Sequence, residues 1–217
     1  MSFRRPSFLT IVFAAIGLAV MLGLGTWQLQ RLEWKTNLLA TIAERLDLPA
    51  EPLPANPGAD WQFRRATVEG QVVGGQWFRF PGHSRNDAVG ELLMLLIQRP
   101  DGSLVAVENG WVPFGQPSPP LPETLAAEGI VRAPAEPGLF TPANDPAGNA
   151  WYVASPAAMA AAAGLPAAKA VPMYLKPPDW HPHLPNDHLQ YALTWFALAG
   201  IFLVIFVLFH RKKPTAA

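Results

Sequence analysis

The chain contains no cysteine at all. That excludes disulfides, thiolate metal centres, Cys-x-x-Cys redox chemistry and covalent attachment of a c-type haem. A copper carrier built on thiolates is excluded with them, and the five methionines are too scattered to take their place. An excess of charge of either sign is also lacking, since 16 Lys and Arg balance 16 Asp and Glu. Without a basic field there is no electrostatic reason to expect nucleic acid as a partner. The hydrolase and phosphate-binding signatures are missing too: Gly-x-Ser-x-Gly, His-Glu-x-x-His and Gly-x-x-x-x-Gly-Lys do not occur. Carboxylates are sparse and form no evident pair. No catalytic residue is assigned, and the chain reads as a protein that is not an enzyme.

Two long apolar runs stand out, from Phe8 to Leu24 and from Tyr191 to Phe209. Each approaches the ~20 residues that a hydrocarbon core of ~30 Å requires. Arg4 and Arg5 precede the first run, as in a secretory or twin-arginine signal. However, Gly23-Leu24-Gly25-Thr26-Trp27-Gln28 offers no Ala-x-Ala cleavage site, so an uncleaved anchor is expected. Arg211, Lys212 and Lys213 follow the second run, whereas Asp179 and Asp187 precede it. This bias puts the C-terminal end in the cytoplasm, and two spans return the N-terminus to the same side. The expected organisation is a cytoplasmic stretch 1–7, a span 8–27, an outer domain 28–190, a span 191–209 and a basic cytoplasmic tail 210–217. In a bacterium the outer domain would be periplasmic and the chain would sit in the inner membrane.

Leu29, Leu32, Leu38, Leu39, Ile42 and Leu46 continue the helical period beyond the first span, so that helix should run out of the membrane. Pro49, Pro52, Pro54 and Pro57 end it. A β-rich region follows. Ala66, Val68, Gly70 and Val72 alternate with Arg65, Thr67, Glu69 and Gln71, the period of a half-buried strand. Gly74-Gly75 offers a turn, with Gln76 to Phe80 as the returning strand. Leu92 to Ile97 is continuously apolar, Pro100-Asp101-Gly102-Ser103 reads as a turn, and Leu104 to Trp111 would complete a second hairpin. Leu125 to Arg132 and Met173 to Lys176 are further strand candidates. Ser155-Pro156 opens an alanine-rich helix ended by Gly164. The expected fold is a membrane α+β protein: a two-helix transmembrane hairpin carrying a mainly antiparallel β barrel or sandwich with one or two short helices.

Chemistry concentrates at the outer ends of the two spans. On the second helix His188, Tyr191 and Trp195 fall within about 60° of one another. That face suits a porphyrin held edge-on at the outer border of the bilayer, and an aromatic belt accounts for the same residues. On the first helix Trp27, Arg31, Trp34 and Lys35 share an arc of about 100°. Arg31 and Lys35 form a cationic i,i+4 pair that repels itself unless an anion sits between them, whether lipid phosphate or haem propionate. Arg64 and Arg65 are further propionate candidates or a solvated strand face. His181-Pro182-His183 with His188 nearby offers three imidazoles, a possible zinc or copper set, whereas His83 reads as an exposed loop histidine.

Four blocks carry a family resemblance. They are Gly25-Thr26-Trp27-Gln28-Leu29-Gln30-Arg31-Leu32-Glu33-Trp34-Lys35, then Glu108-Asn109-Gly110-Trp111-Val112-Pro113. Next comes Phe140-Thr141-Pro142-Ala143-Asn144-Asp145-Pro146 with Asn149-Ala150-Trp151-Tyr152, and last Asn186-Asp187-His188-Leu189-Gln190-Tyr191-Ala192-Leu193-Thr194-Trp195-Phe196. In this order they resemble the surfeit-locus protein 1 family. The resemblance implies an assembly factor for haem–copper terminal oxidases, notably cytochrome c oxidase, that binds haem A transiently and assists its insertion into the catalytic subunit. It implies His188 as the haem-iron ligand, with Tyr191 and Trp195 bracketing the ring, Trp27 nearby, and Arg31 and Lys35 meeting the propionates. The implied partners are that catalytic subunit, membrane lipid and, as a further candidate, haem A synthase. Two departures stand out. Asn109 replaces the arginine more usual in the family's Asn-Arg-Gly-Trp block, and Ser155 stands where Asp is common, an equivalent N-cap. Two other readings stay open: a haem-free scaffold acting through its outer domain, and a copper-site assembly factor using His181, His183 and His188.

Overall fold

The computed structural model describes residues 5–85, 87–182 and 184–211. In chain order the elements are α1 (Phe8–Asp47), β1 (Glu51–Pro52), β2 (Arg65–Arg85), β3 (Ala88–Gln98), β4 (Leu104–Pro113), β5 (Thr124–Arg132), α2 (Pro156–Ala162), β6 (Ala170–Lys176) and α3 (His188–His210). They form two units: a helical one, Met1–Thr41 with His183–Ala217, and a sheet unit, Ile42–Pro182.

In the helical unit, α1 and α3 are long and apolar enough to cross a membrane. Apolar side chains such as Phe8, Phe13, Ile16, Ile201, Val204 and Ile205 are largely exposed, as expected of helices whose natural surroundings are hydrocarbon. α1 continues to Asp47, so the helical period read beyond the first span does persist. The two helices meet along a seam of small residues. Ala192 and Ala199 are buried, and Gly25 lies so close to the Phe196 ring that a Cβ there would meet it at 2.7 Å. Small residues allow helix backbones to approach where no hydrophobic force drives them together.

The sheet unit is one mixed six-stranded sheet in the order β1-β2-β3-β4-β6-β5, with β2 also pairing β5. The pairs β2–β3, β2–β5, β3–β4 and β5–β6 are antiparallel, whereas β1–β2 and β4–β6 are parallel. Against the expected barrel or sandwich, the described residues form one sheet rather than two, and the β2–β5 pairing joins its strand order back on itself. Residues alternate between two apolar faces. Leu93, Leu95 and Ile97 of β3 join Val105 and Val107 of β4 on one face. Met94 and Leu96 join Ala106, Phe78, Trp151 and Met159 on the other, which α2 covers. Burial on both faces explains why Leu92 to Ile97 shows no polar alternation.

The turn expected at Gly74-Gly75 does not form. β2 runs unbroken through it, and the register with β3 shifts between Val73 and Phe78. Gly74 and Gly75 adopt φ of 85° and 64°, so their freedom serves a bulge rather than a hairpin. The reason lies beyond the glycines: Trp77, Phe78 and Phe80 are buried, and Phe78 and Phe80 stay paired to Met94 and Leu92 of β3. The Asp101 turn does form. Asp101 Oδ1 accepts from Ser103 N at 2.9 Å, and these bonds from Ser103 hold the carboxyl below the usual aspartate range. Ser155 caps α2 through Ala158 N.

Candidate functional site

His188 opens α3, and its Nδ1 lies 2.8 Å from Oε1 of Gln28 on α1. An amide oxygen only accepts, so the ring donates from Nδ1 and the neutral imidazole keeps its lone pair on Nε2. Gln28 belongs to the stripe Gly17, Met21, Gly25, Gln28, Leu32 and Lys35, which is buried or half-buried while most neighbouring positions are exposed. Steps of three and four residues hold that stripe on one helix face. Farther along α1, Asn186 Nδ2 donates to Thr36 Oγ1 at 3.4 Å. Asn186 Oδ1 is buried and has no partner among the described residues.

The other expected site residues divide. Trp195 is half-buried and falls about 20° from His188 around α3. Tyr191 is 56% exposed. Lys35 falls about 20° from Gln28 and is half-buried. Trp27 and Trp34 are 53% and 50% exposed, and the exposed Arg31 guanidinium packs over the Trp34 ring at 4.0 Å. The structure thus joins His188 to Gln28 and puts Trp195 and Lys35 on the two seam stripes. It turns Trp27, Arg31 and Tyr191 outward. An open depression of about 580 Å³, lined by Asn186, Gln190, Leu193 and Ala197 among others, lies on the outward face of α3, away from the buried Ala192 and Ala199.

Arg64 and Arg65, the further propionate candidates, are already engaged. Arg64 binds Glu51 at 2.7 Å, and Arg65 binds Glu128 at 2.8 Å. Of the three-imidazole set, the His181 Nδ1 lies 2.7 Å from the Asp179 backbone oxygen, and His183 lies outside the described residues. Arg4, Lys212 and Lys213, used for the signal and orientation readings, lie outside them too. No group of three His, Asp or Glu side chains suited to a metal ion occurs among the described residues.

Two of the family-like blocks serve the sheet unit. Trp151 is 1% exposed, meets Phe78 edge-on at 5.4 Å, and donates from Nε1 to Asn149 Oδ1 at 3.0 Å. Asn149 Nδ2 donates to Trp77 O, and Asn144 Oδ1 accepts from the Tyr152 and Val153 amides. The Asn144-to-Tyr152 block is therefore a peg that seats one tryptophan against the sheet. In the other block Glu108, with 8% of its side chain exposed, holds Lys176 Nζ at 2.7 Å, and the variant Asn109 faces solvent. Beside it the Arg132 guanidinium packs on Phe63 at 4.4 Å and Trp180 at 4.8 Å. Burial lowers the Arg132 guanidinium and raises the Tyr174 phenol from their ordinary values. The sequence reading missed Gln28, whose signal was available: it is a polar residue on the stripe of Gly25, Leu32 and Lys35.

The sequence model of the SURF1 family matches residues 15–200, which take in the sheet unit and most of both long helices. The chain belongs to the SURF1 family. A SURF1-like protein of Monosiga brevicollis is 29% identical over 220 residues, covering 89% of this chain and 84% of the relative. Surfeit locus protein 1 of Mus musculus is 28% identical over 233 residues, covering 90% of this chain and 74% of the relative. A Saccharomyces cerevisiae relative, named cytochrome oxidase assembly protein SHY1, is 29% identical over 168 residues, covering 70% of this chain and 43% of the relative. Its two apolar helices make this SURF1-family chain read as a membrane protein.

Proposed function

We propose that the chain is a membrane-anchored assembly factor for a haem–copper terminal oxidase, and that it holds haem A through His188 before the haem enters the catalytic subunit. Family membership and the name of the yeast relative support oxidase assembly. The hydrogen bond between His188 and Gln28 carries the haem reading. Metal-ligating histidines characteristically donate their second ring nitrogen to an acceptor, which fixes the tautomer and raises ligand basicity. Gln28 does this to Nδ1 and leaves Nε2 for a metal. Haem A would supply an iron able to take a nitrogen ligand, which His188 Nε2 would provide.

The surrounding residues fit that use. Lys35 lies on the Gln28 stripe as a cation for a propionate, and Trp195 offers apolar surface on the His188 side of α3. Arg31, stacked on Trp34, is a second cation farther round α1, and Trp27 and Tyr191 supply aromatic surface at the border. A single histidine ligand suits a carrier whose cargo must leave. In this reading the chain lies in a bacterial inner membrane with the sheet unit in the periplasm, lipid covering the outward faces of α1 and α3. Haem A synthase is the matching donor and the oxidase catalytic subunit the recipient. The chain acts as a carrier, not a catalyst.

The test is coexpression with the enzymes that make haem A, followed by purification in detergent and redox spectra beside His188→Ala. Haem A on the wild type, lost in a folded His188→Ala protein, is the expected result. Full haem occupancy in His188→Ala would remove the ligand assignment. A colourless wild type that still brings down oxidase subunits would replace carrier by scaffold.

A further inference from the structure

The sheet unit presents an apolar tip that its own fold does not use. Leu139 and Phe140 are each 93% exposed, more than any other large hydrophobic residue described. They are not on a slack loop. Thr141 N donates to Gly138 O at 3.0 Å and Gly138 N donates to Thr141 Oγ1 at 2.9 Å, closing a tight turn around them. Pro137 and Pro142 flank that turn. A few residues on, Asp145 and Ala150 exchange two backbone hydrogen bonds, and Asn144 ties the strap to Val153. The tip is thus fastened to the buried Trp151 peg. Two large apolar side chains held ready in this way lose little further freedom on docking, which is what an interface anchor requires.

Charge selects the occupant. From Ala133 to Ala168 the sequence has no Lys, Arg or His, and its charges are Glu136 and Asp145. An anionic bilayer surface attracts basic segments and repels this one. A second copy docked tip to tip about a two-fold axis would set Glu136 against Glu136. A protein pocket with an apolar floor and a neutral or basic rim meets both requirements. We infer that Leu139 and Phe140 form the anchor by which the sheet unit grips its client, inserting into such a pocket on the outer face of the oxidase catalytic subunit. This inference rests on the proposed function, because it takes the client from there.

The test uses the full chain in membranes that also contain the oxidase catalytic subunit. A photoreactive phenylalanine placed at position 140 should crosslink to that subunit, whereas the same probe at the exposed Thr124 should not. In parallel, Leu139→Ser combined with Phe140→Ser should lower the copurified catalytic subunit about tenfold or more. Thermal stability and haem occupancy should remain unchanged. Crosslinks to lipid or to a second copy, or undiminished copurification of the double variant, would overturn the inference while leaving oxidase assembly standing. A wild-type chain that never brings down the catalytic subunit would overturn both.

Discussion

Replacing Gln28 by leucine removes the acceptor facing His188 while keeping a side chain of similar volume on the helix seam. The bond is short, at 2.8 Å, and half-buried. A typical intramolecular hydrogen bond contributes about 0.5–1.5 kcal/mol net, which alone would change an affinity by about two- to thirteenfold. Gln28 acts on more than its own bond, because it decides which ring nitrogen carries the proton. Without it the imidazole divides between two tautomers and turns more freely. Loss of such a supporting partner typically costs 10- to 100-fold in metal affinity, so the expected effect is about 10- to 100-fold weaker haem A binding, the tautomer effect outweighing the bond itself. The assay is a spectrophotometric titration of haem A into the detergent-solubilised full-length chain, with His188→Ala as the baseline. Gln28→Glu, which keeps an acceptor and adds charge, should bind at least as tightly as wild type. Wild-type affinity in a folded Gln28→Leu protein would refute the argument that this bond prepares His188 as a ligand.

Gly25→Ala places a Cβ at 2.7 Å from the Phe196 ring, which should spread the helix seam, weaken haem retention and lower the melting temperature by overpacking worth about 1–3 kcal/mol. Adding Phe196→Leu should restore both, whereas an unaltered Gly25→Ala protein would show that the seam is loose. In the sheet unit, Glu108→Ala strands the Lys176 ammonium, with 16% of its side chain exposed. Removing one partner of a buried pair costs about 3–5 kcal/mol, with the lower end expected here because Lys176 keeps some contact with water. Thermal unfolding would measure the loss, and replacing Glu108 and Lys176 together by methionine should recover most of it.

How far the sequence reveals this molecule depends on the range over which each signal acts. The long helices, the β3–β4 hairpin at Asp101 and the Ser155 cap were readable because span length, turn chemistry and capping are local. Gly74-Gly75 misled for the same reason. Two glycines permit a hairpin turn and a bulge equally, and the choice was made by Phe78 and Phe80 holding their places opposite Met94 and Leu92. The parallel pairing of β4 with β6 joins residues more than sixty positions apart in the chain, with no local pattern to announce it. At the candidate site, His188 was found because a histidine at the border of an apolar run is conspicuous. Gln28 was overlooked because its importance lies in facing His188, 160 positions away.

Under the proposed function, the two units bring different physics to one task. Along the helical seam, Gln28 meeting His188 and Thr36 meeting Asn186 are hydrogen bonds near an apolar boundary, where an unmade bond is costly. Such bonds fix orientation more than they add stability, which suits holding and releasing a cofactor. The sheet unit invests in rigidity. It buries both faces of β3 and β4, seats Trp151 through the hydrogen bonds of Asn144 and Asn149 and closes a hydrogen-bonded turn beneath Leu139 and Phe140. A rigid body with an apolar tip suits holding a client while a second site delivers. If that division is right, changes on the seam should alter haem occupancy without altering client capture, and changes at the tip should do the reverse. Loss of both properties from either class of variant, with the protein still folded, would mean that the units act as one switch instead.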